Sequence, residues 1–176
     1  MRLRAVRVSC LGLLAGAGLM ADPAGLLGVQ LRVQDLHRDL GRALGRPGGC
    51  GASLVLGEGW LERDAWPLRL RLSYDRWDGS ARARLDRASN ASLALEFGGN
   101  MSRKATSFYY VFGLSADHWA LEDRTGRREE TTKLGASTAL GYAFSGGWYL
   151  ELQHRASSAA RHVEVTSTGL ALGRRF

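Results

Sequence analysis

Strict alternation of apolar and polar residues limits what this chain can fold into. Residues 67–77 read P-L-R-L-R-L-S-Y-D-R-W. Leu68, Leu70, Leu72 and Tyr74 take one parity, and Arg69, Arg71, Ser73 and Asp75 take the other. A helix would spread these charges around its circumference, whereas a strand sends successive side chains to opposite faces and separates them. The same period recurs along the chain. Val29, Leu31 and Val33 alternate with Gln30, Arg32 and Gln34, and Ala91, Leu93, Leu95 and Phe97 alternate with Asn90, Ser92, Ala94 and Glu96. Tyr110, Phe112, Leu114 and Ala116 alternate with Tyr109, Val111, Gly113, Ser115 and Asp117. Leu134 to Phe144 alternate with Gly135, Ser137, Ala139, Gly141 and Ala143, and Trp148, Leu150 and Leu152 with Tyr149, Glu151 and Gln153. Weaker segments near 50–59 and 162–175 bring the number to eight. Eight such segments with no helix between them predict an all-β sandwich or barrel.

Alternation alone does not say which face meets water. In a soluble barrel of lipocalin type the apolar face is the core; in a membrane barrel it meets lipid and the polar face lines the interior. The connections, placed at 36–49, 60–66, 78–87, 98–104, 122–131, 145–147 and 156–161, alternate between longer and shorter, as expected of a membrane barrel with short turns at one end. Aromatic residues gather near predicted strand ends. Trp60, Trp66, Phe97, Phe108, Phe144, Trp148 and Phe176 lie at one end and Trp77 and Trp119 at the other, which fits interfacial girdles. Leu36, Leu40 and Leu44 recur at spacing four, so the first connection has room for a helical turn.

Before the first strand, Arg2, Arg4 and Arg7 precede an apolar stretch from Val8 to Met20, with Ala21 as a cleavage point. This predicts a signal peptide over 1–21 and a barrel domain over 22–176. Its removal lowers the net charge from +7 to +4. Cys50 is then the only cysteine, and no intrachain disulfide can form.

The chain ends S-T-G-L-A-L-G-R-R-F. Phe176 is terminal, and Leu172, Leu170 and Thr168 share its parity, as does Arg174. This ending resembles that of small bacterial outer-membrane barrels of the OmpX, OmpA-barrel and opacity type, with Arg174 departing from the usual apolar or aromatic residue. The resemblance implies an eight-stranded antiparallel up-and-down transmembrane β-barrel in the bacterial outer membrane. It also implies that Phe176 is part of the signal read by the barrel-assembly machinery, and that the surroundings are outer-membrane lipid and lipopolysaccharide.

An eight-stranded barrel has an interior just wide enough for side chains to fill. The inward parity holds Arg32, Arg69, Arg71, Asp75, Glu96, Asp117, Glu151, Gln153 and Arg155. Both signs are present, and buried charges must pair. The expectation is a polar network that holds the barrel shut, with the small residues of the sixth segment making room for long arginines; a narrow ion path is the alternative. A lipid A-modifying enzyme of the deacylase type would need a His and a Ser side by side. Here H-R-A-S-S puts Ser157 three places from His154, on the opposite face of a strand, with His154 on the lipid side. No histidine pair has metal-ligand spacing. The sequence therefore predicts a non-enzymatic protein with no cofactor or metal, a monomer with no nucleic-acid partner. Its role would be structural, adhesive or surface-ligand-binding through its loops, where Arg38, Arg42, Arg46, Arg82 and Arg84 are candidate contacts to surface polyanions.

Overall fold

The computed structural model describes residues 27–45, 48–57, 68–101, 106–158 and 164–176. The strands are β1 (Leu27–His37), β2 (Gly48–Leu56), β3 (Leu68–Asp78), β4 (Leu85–Asn100), β5 (Phe108–Asp123), β6 (Arg128–Ala143), β7 (Trp148–Ser158) and β8 (Glu164–Arg175). Each pairs antiparallel with its neighbours in chain order, and β8 returns to β1 (Gly28 opposite Arg175, His37 opposite Thr166), closing the barrel. Closure leaves no unpaired sheet edge. Because the chain runs up and down, Leu27 and Phe176 lie at the same end, here called the terminal end; the opposite one is the loop end.

Side-chain parity follows the sequence. On β3 burial alternates without a break, with Leu68, Leu70, Leu72 and Tyr74 on the outer surface and Arg69, Arg71, Ser73, Asp75 and Trp77 inside. The apolar face is therefore the outside of the barrel, which overturns the soluble lipocalin-like alternative. The outer band includes Leu54, Leu93, Leu95, Phe112, Leu114, Leu134, Leu140, Leu152, Leu170 and Leu172. At the terminal end it finishes in exposed aromatic side chains: Phe97, Phe108, Phe144 and Trp148. Tyr142 stands edge-on to both Phe108 and Phe144. The Arg174 guanidinium lies 5.4 Å from the Trp148 ring centre and 5.2 Å from that of Phe176. The departure from an apolar residue at 174 is thus accommodated by cation–π contact at the edge of the band.

Two expectations are corrected. Trp77 and Trp119 are not part of a girdle; they are only 2% and 4% exposed and stack on each other inside the barrel, ring centres 5.5 Å apart. Their parity, shared with Asp75 and Asp117, requires it. The loop lengths do not distinguish the two ends either. The longest connection, 57–67, lies at the terminal end, while the loop end carries 38–47, 79–84, 124–127 and 159–163. The reason is that β4, β5 and β6 run for 16 residues each. They absorb residues assigned to loops in the sequence and continue past the apolar band at the loop end, where Arg87 pairs with Glu122 across β4 and β5 and Arg128 with Glu130 along β6.

Candidate functional site: the barrel interior and the loop end

The eight charged residues expected inside are all there, and they meet. Two arginines of β3 and two glutamates of β4 and β7 form one cluster. Arg69 donates from Nε to Glu96 (2.5 Å) and from Nη1 to Glu151 (2.7 Å). Arg71 donates from Nε to Glu96 (3.1 Å) and from Nη2 to Glu151 (3.0 Å). Glu151 is fully buried and also accepts from Gln30, Gln153 and the Tyr109 hydroxyl at 2.8, 2.6 and 2.9 Å. Nearer the loop end, Arg32 and Arg155 bracket Asp75 at 2.5 and 2.9 Å, and Arg155 reaches Asp117 at 3.0 Å. Arg32 joins the clusters by donating to Gln153 Oε1 at 2.8 Å. Each cluster holds two cations and two anions, so each is neutral. That balance, with the carboxylate lone pairs taken up by guanidinium and amide donors, is what lets such groups stay charged out of water.

Register explains the meeting. Arg69 faces Glu96 directly across β3 and β4, while Glu151 reaches both arginines from the far wall. The small residues of β6 make room, though for a different occupant than expected. A Cβ on Gly141 would stand 2.1 Å from the Tyr109 ring, so this glycine seats a tyrosine rather than an arginine. Gly173 seats Tyr149 in the same way, at 2.2 Å. Beside Ser137 and Ala139 there is a cavity of about 10 Å³, bordered by Arg71 and Arg155. A second, about as large, lies between the tryptophan pair and Arg155. Each has room for about one water molecule.

Above the charged clusters lies an apolar plug. The helical turn between β1 and β2 is the helix α1 (Arg38–Ala43). It brings Leu40 and Leu44 down beside Leu36, Trp77, Ala88, Trp119, Leu121 and Val165. The spacing-four leucines signalled the turn; that it folds into the barrel mouth follows from the inward parity of Leu36. Three connections are tied together over this plug. Ser80 N–H donates to Leu44 C=O, Arg84 N–H to Ala43 C=O, and the Arg124 guanidinium to the carbonyls of Ser80 and Ala81.

Several loop-end charges neutralise one another: Arg38 with Glu164, Arg42 with Asp39, Arg87 with Asp78 and Glu122, and Arg128 with Glu130. Arg82, Arg84 and Arg127 are exposed and make no ion pair among the described residues. Of the arginines proposed from sequence as anion contacts, Arg82 and Arg84 thus keep free guanidiniums and Arg38 and Arg42 do not, while Arg46 lies outside the described residues. His154 and Ser157 point to opposite sides of the wall. His154 is outside against Thr168, at 3.1 Å, and Ser157 accepts the Trp119 indole N–H inside at 3.1 Å. They do not assemble into a catalytic pair.

A closed antiparallel barrel, apolar outside and charged within, defines the class of transmembrane β-barrels. Comparison narrows it. No protein-family profile matches the chain, and no curated protein matches its sequence. Among solved structures it is similar to Neisserial surface protein A (TM-score 0.59, 15% identity, 85% of this chain and 97% of that one). It is also similar to the N-terminal β-barrel domain of Pseudomonas aeruginosa OprF (0.54, 14%, 85% and 97%). A third is Ail, the attachment invasion locus protein of Yersinia pestis, solved with the heparin analogue sucrose octasulfate (0.50, 14%, 86% and 97%). The chain has the fold of the small eight-stranded outer-membrane barrels of the OmpA, OmpX and Ail type.

Proposed function

We propose that the protein is a non-enzymatic, monomeric integral protein of the bacterial outer membrane that acts by presenting its loop end to surface ligands. Residues 1–21 direct export and are removed, and the terminal strand with Phe176 hands the chain to the barrel-assembly machinery. The observation that carries this reading is the neutrality of the interior. Eight charges pair off in two balanced clusters there, while at the loop end the exposed guanidiniums of Arg82, Arg84 and Arg127 make no ion pair among the described residues. Guanidinium binds sulfate and phosphate oxygens in pairs. The ligand class is therefore a sulfated or phosphorylated saccharide, including the phosphates of lipopolysaccharide. The sulfated ligand of Ail, which shares the fold, supports that chemistry.

The test is titration of the refolded barrel with sucrose octasulfate, alongside a variant carrying Arg82→Ala and Arg84→Ala. Saturable binding that weakens with salt and falls in the double variant is expected. Binding unchanged by the two substitutions, or none at all, would reject the assignment.

A further inference from the structure

One row of side chains interrupts the outer apolar band. Thr138 on β6, His154 on β7, Thr168 on β8 and Asp35 on β1 are direct cross-strand partners: Thr138 faces His154, His154 faces Thr168, and Thr168 faces Asp35. All four belong to the outward parity. Thr138, His154 and Asp35 are exposed and Thr168 is half-buried. Directly opposed residues stand about 5 Å apart, so the row is continuous across four strands.

It also climbs. On β6, Thr138 has Leu134 and Ala136 toward the loop end and Leu140 and Tyr142 toward the terminal end, so it sits within the apolar band. His154 has Ala156 above it and Leu152 and Leu150 below. Thr168 has only Thr166 and Glu164 above, and Asp35 has only His37. The row thus starts among lipid-facing leucines and emerges at the loop-end margin. An ionisable side chain facing lipid is costly unless something answers it. One His154 nitrogen is answered by Thr168; the other makes no hydrogen bond, and Asp35 makes no ion pair, among the described residues.

We propose that this row is a lateral binding strip for the sugar headgroup of a glycolipid in the outer leaflet. The inference rests on the outer-membrane reading above and is separate from the arginines of the loop end. The chemistry selects the occupant. The row offers two hydroxyls, an imidazole and one carboxylate, and no fixed cation. Sugar hydroxyls can donate to Asp35 and to the imidazole, whereas a phosphate would meet the Asp35 charge. Val33, Leu134, Leu152 and Leu170, all exposed beside the row, are a surface for the acyl chains of the same molecule.

The experiment places the mature chain, labelled with ¹⁵N-histidine, in phosphatidylcholine nanodiscs containing increasing amounts of a glucosyl-diacylglycerol. Its uncharged headgroup does not engage the loop-end arginines. A saturable shift of the His154 imidazole resonances with no movement at His118 is expected. Thr138→Val with Thr168→Val, which keep the shape and remove the hydroxyls, should weaken the apparent affinity roughly three- to tenfold. An unmoved His154 would overturn the proposal, as would an equal shift with phosphatidylglycerol in place of the sugar lipid. A shift that followed the number of protein molecules per disc instead of the glycolipid would assign the row to a second copy of the chain. Failure of the chain to form a heat-shifted barrel in the bilayer would remove the outer-membrane reading itself.

Discussion

Replacing Glu151 with leucine tests the interior network most sharply. Glu151 receives five hydrogen bonds, two of them from Arg69 and Arg71, and is fully buried. Its removal leaves two guanidiniums sharing Glu96 alone, a net positive charge in the barrel waist. Breaking one side of a buried ion pair costs about 3–5 kcal/mol, or roughly two to three and a half decades in the folding equilibrium. Leucine fills a similar volume, so the loss would report charge and hydrogen bonding more than a cavity. The companion variant, Arg69→Met with Glu151→Leu, leaves Arg71 facing Glu96 and restores neutrality. It should regain at least about 2 kcal/mol relative to the sum of the two single losses. Urea titrations of the refolded proteins in detergent micelles, followed by tryptophan fluorescence and by the heat-shifted gel band, give all three numbers. A loss below about 1 kcal/mol for Glu151→Leu alone, or strict additivity in the double variant, would refute the claim that the two clusters hold the barrel together.

Other perturbations probe the remaining layers. Gly141→Val should prevent refolding in micelles, scored by loss of the heat-shifted band, because a side chain there collides with the Tyr109 ring; Thr138→Val, three positions earlier on the outer face, should refold normally. Leu40→Ala should lower stability by about 2 kcal/mol or more by opening a cavity in the plug, and should speed protease cleavage within 38–47 in the folded barrel. Leu114→Arg, on the outer face with 70% of its surface exposed, should leave folding in detergent nearly unchanged yet cost about 2–4 kcal/mol in a phospholipid bilayer. Equal losses in the two media would indicate that this face does not meet lipid.

Much of this was legible in the chain because side-chain parity is a local property. Reading Leu68, Leu70 and Leu72 against Arg69 and Arg71 assigns inside and outside residue by residue, and all eight charged residues assigned to the interior are found there. The same rule had already placed Trp77 and Trp119 inside; treating them as interfacial girdle residues let composition override parity. Their place in a plug depended on α1, whose leucines show a helical spacing without showing where the turn packs. Which arginine meets which carboxylate was not legible. It depends on register between strands distant in sequence, such as β3 and β7, which brings Glu151 to Arg69 across 82 positions. Strand ends were misplaced where β4, β5 and β6 leave the apolar band, because beyond it both faces are polar and the alternation that marks a strand disappears. The free guanidiniums of Arg82 and Arg84 also escaped the sequence, since only the folded loop end shows which acids are already paired.

The central claim is that Leu68, Leu70, Leu72 and the rest of the outer band face lipid. Fractionation of expressing cells, with the membrane sample run on a gel with and without prior heating, tests it most directly. The account predicts outer-membrane location and a band that migrates differently once heated, the mark of a closed barrel that survives detergent until it is melted. A protein recovered without detergent from the periplasm, with no heat-dependent shift, would contradict it.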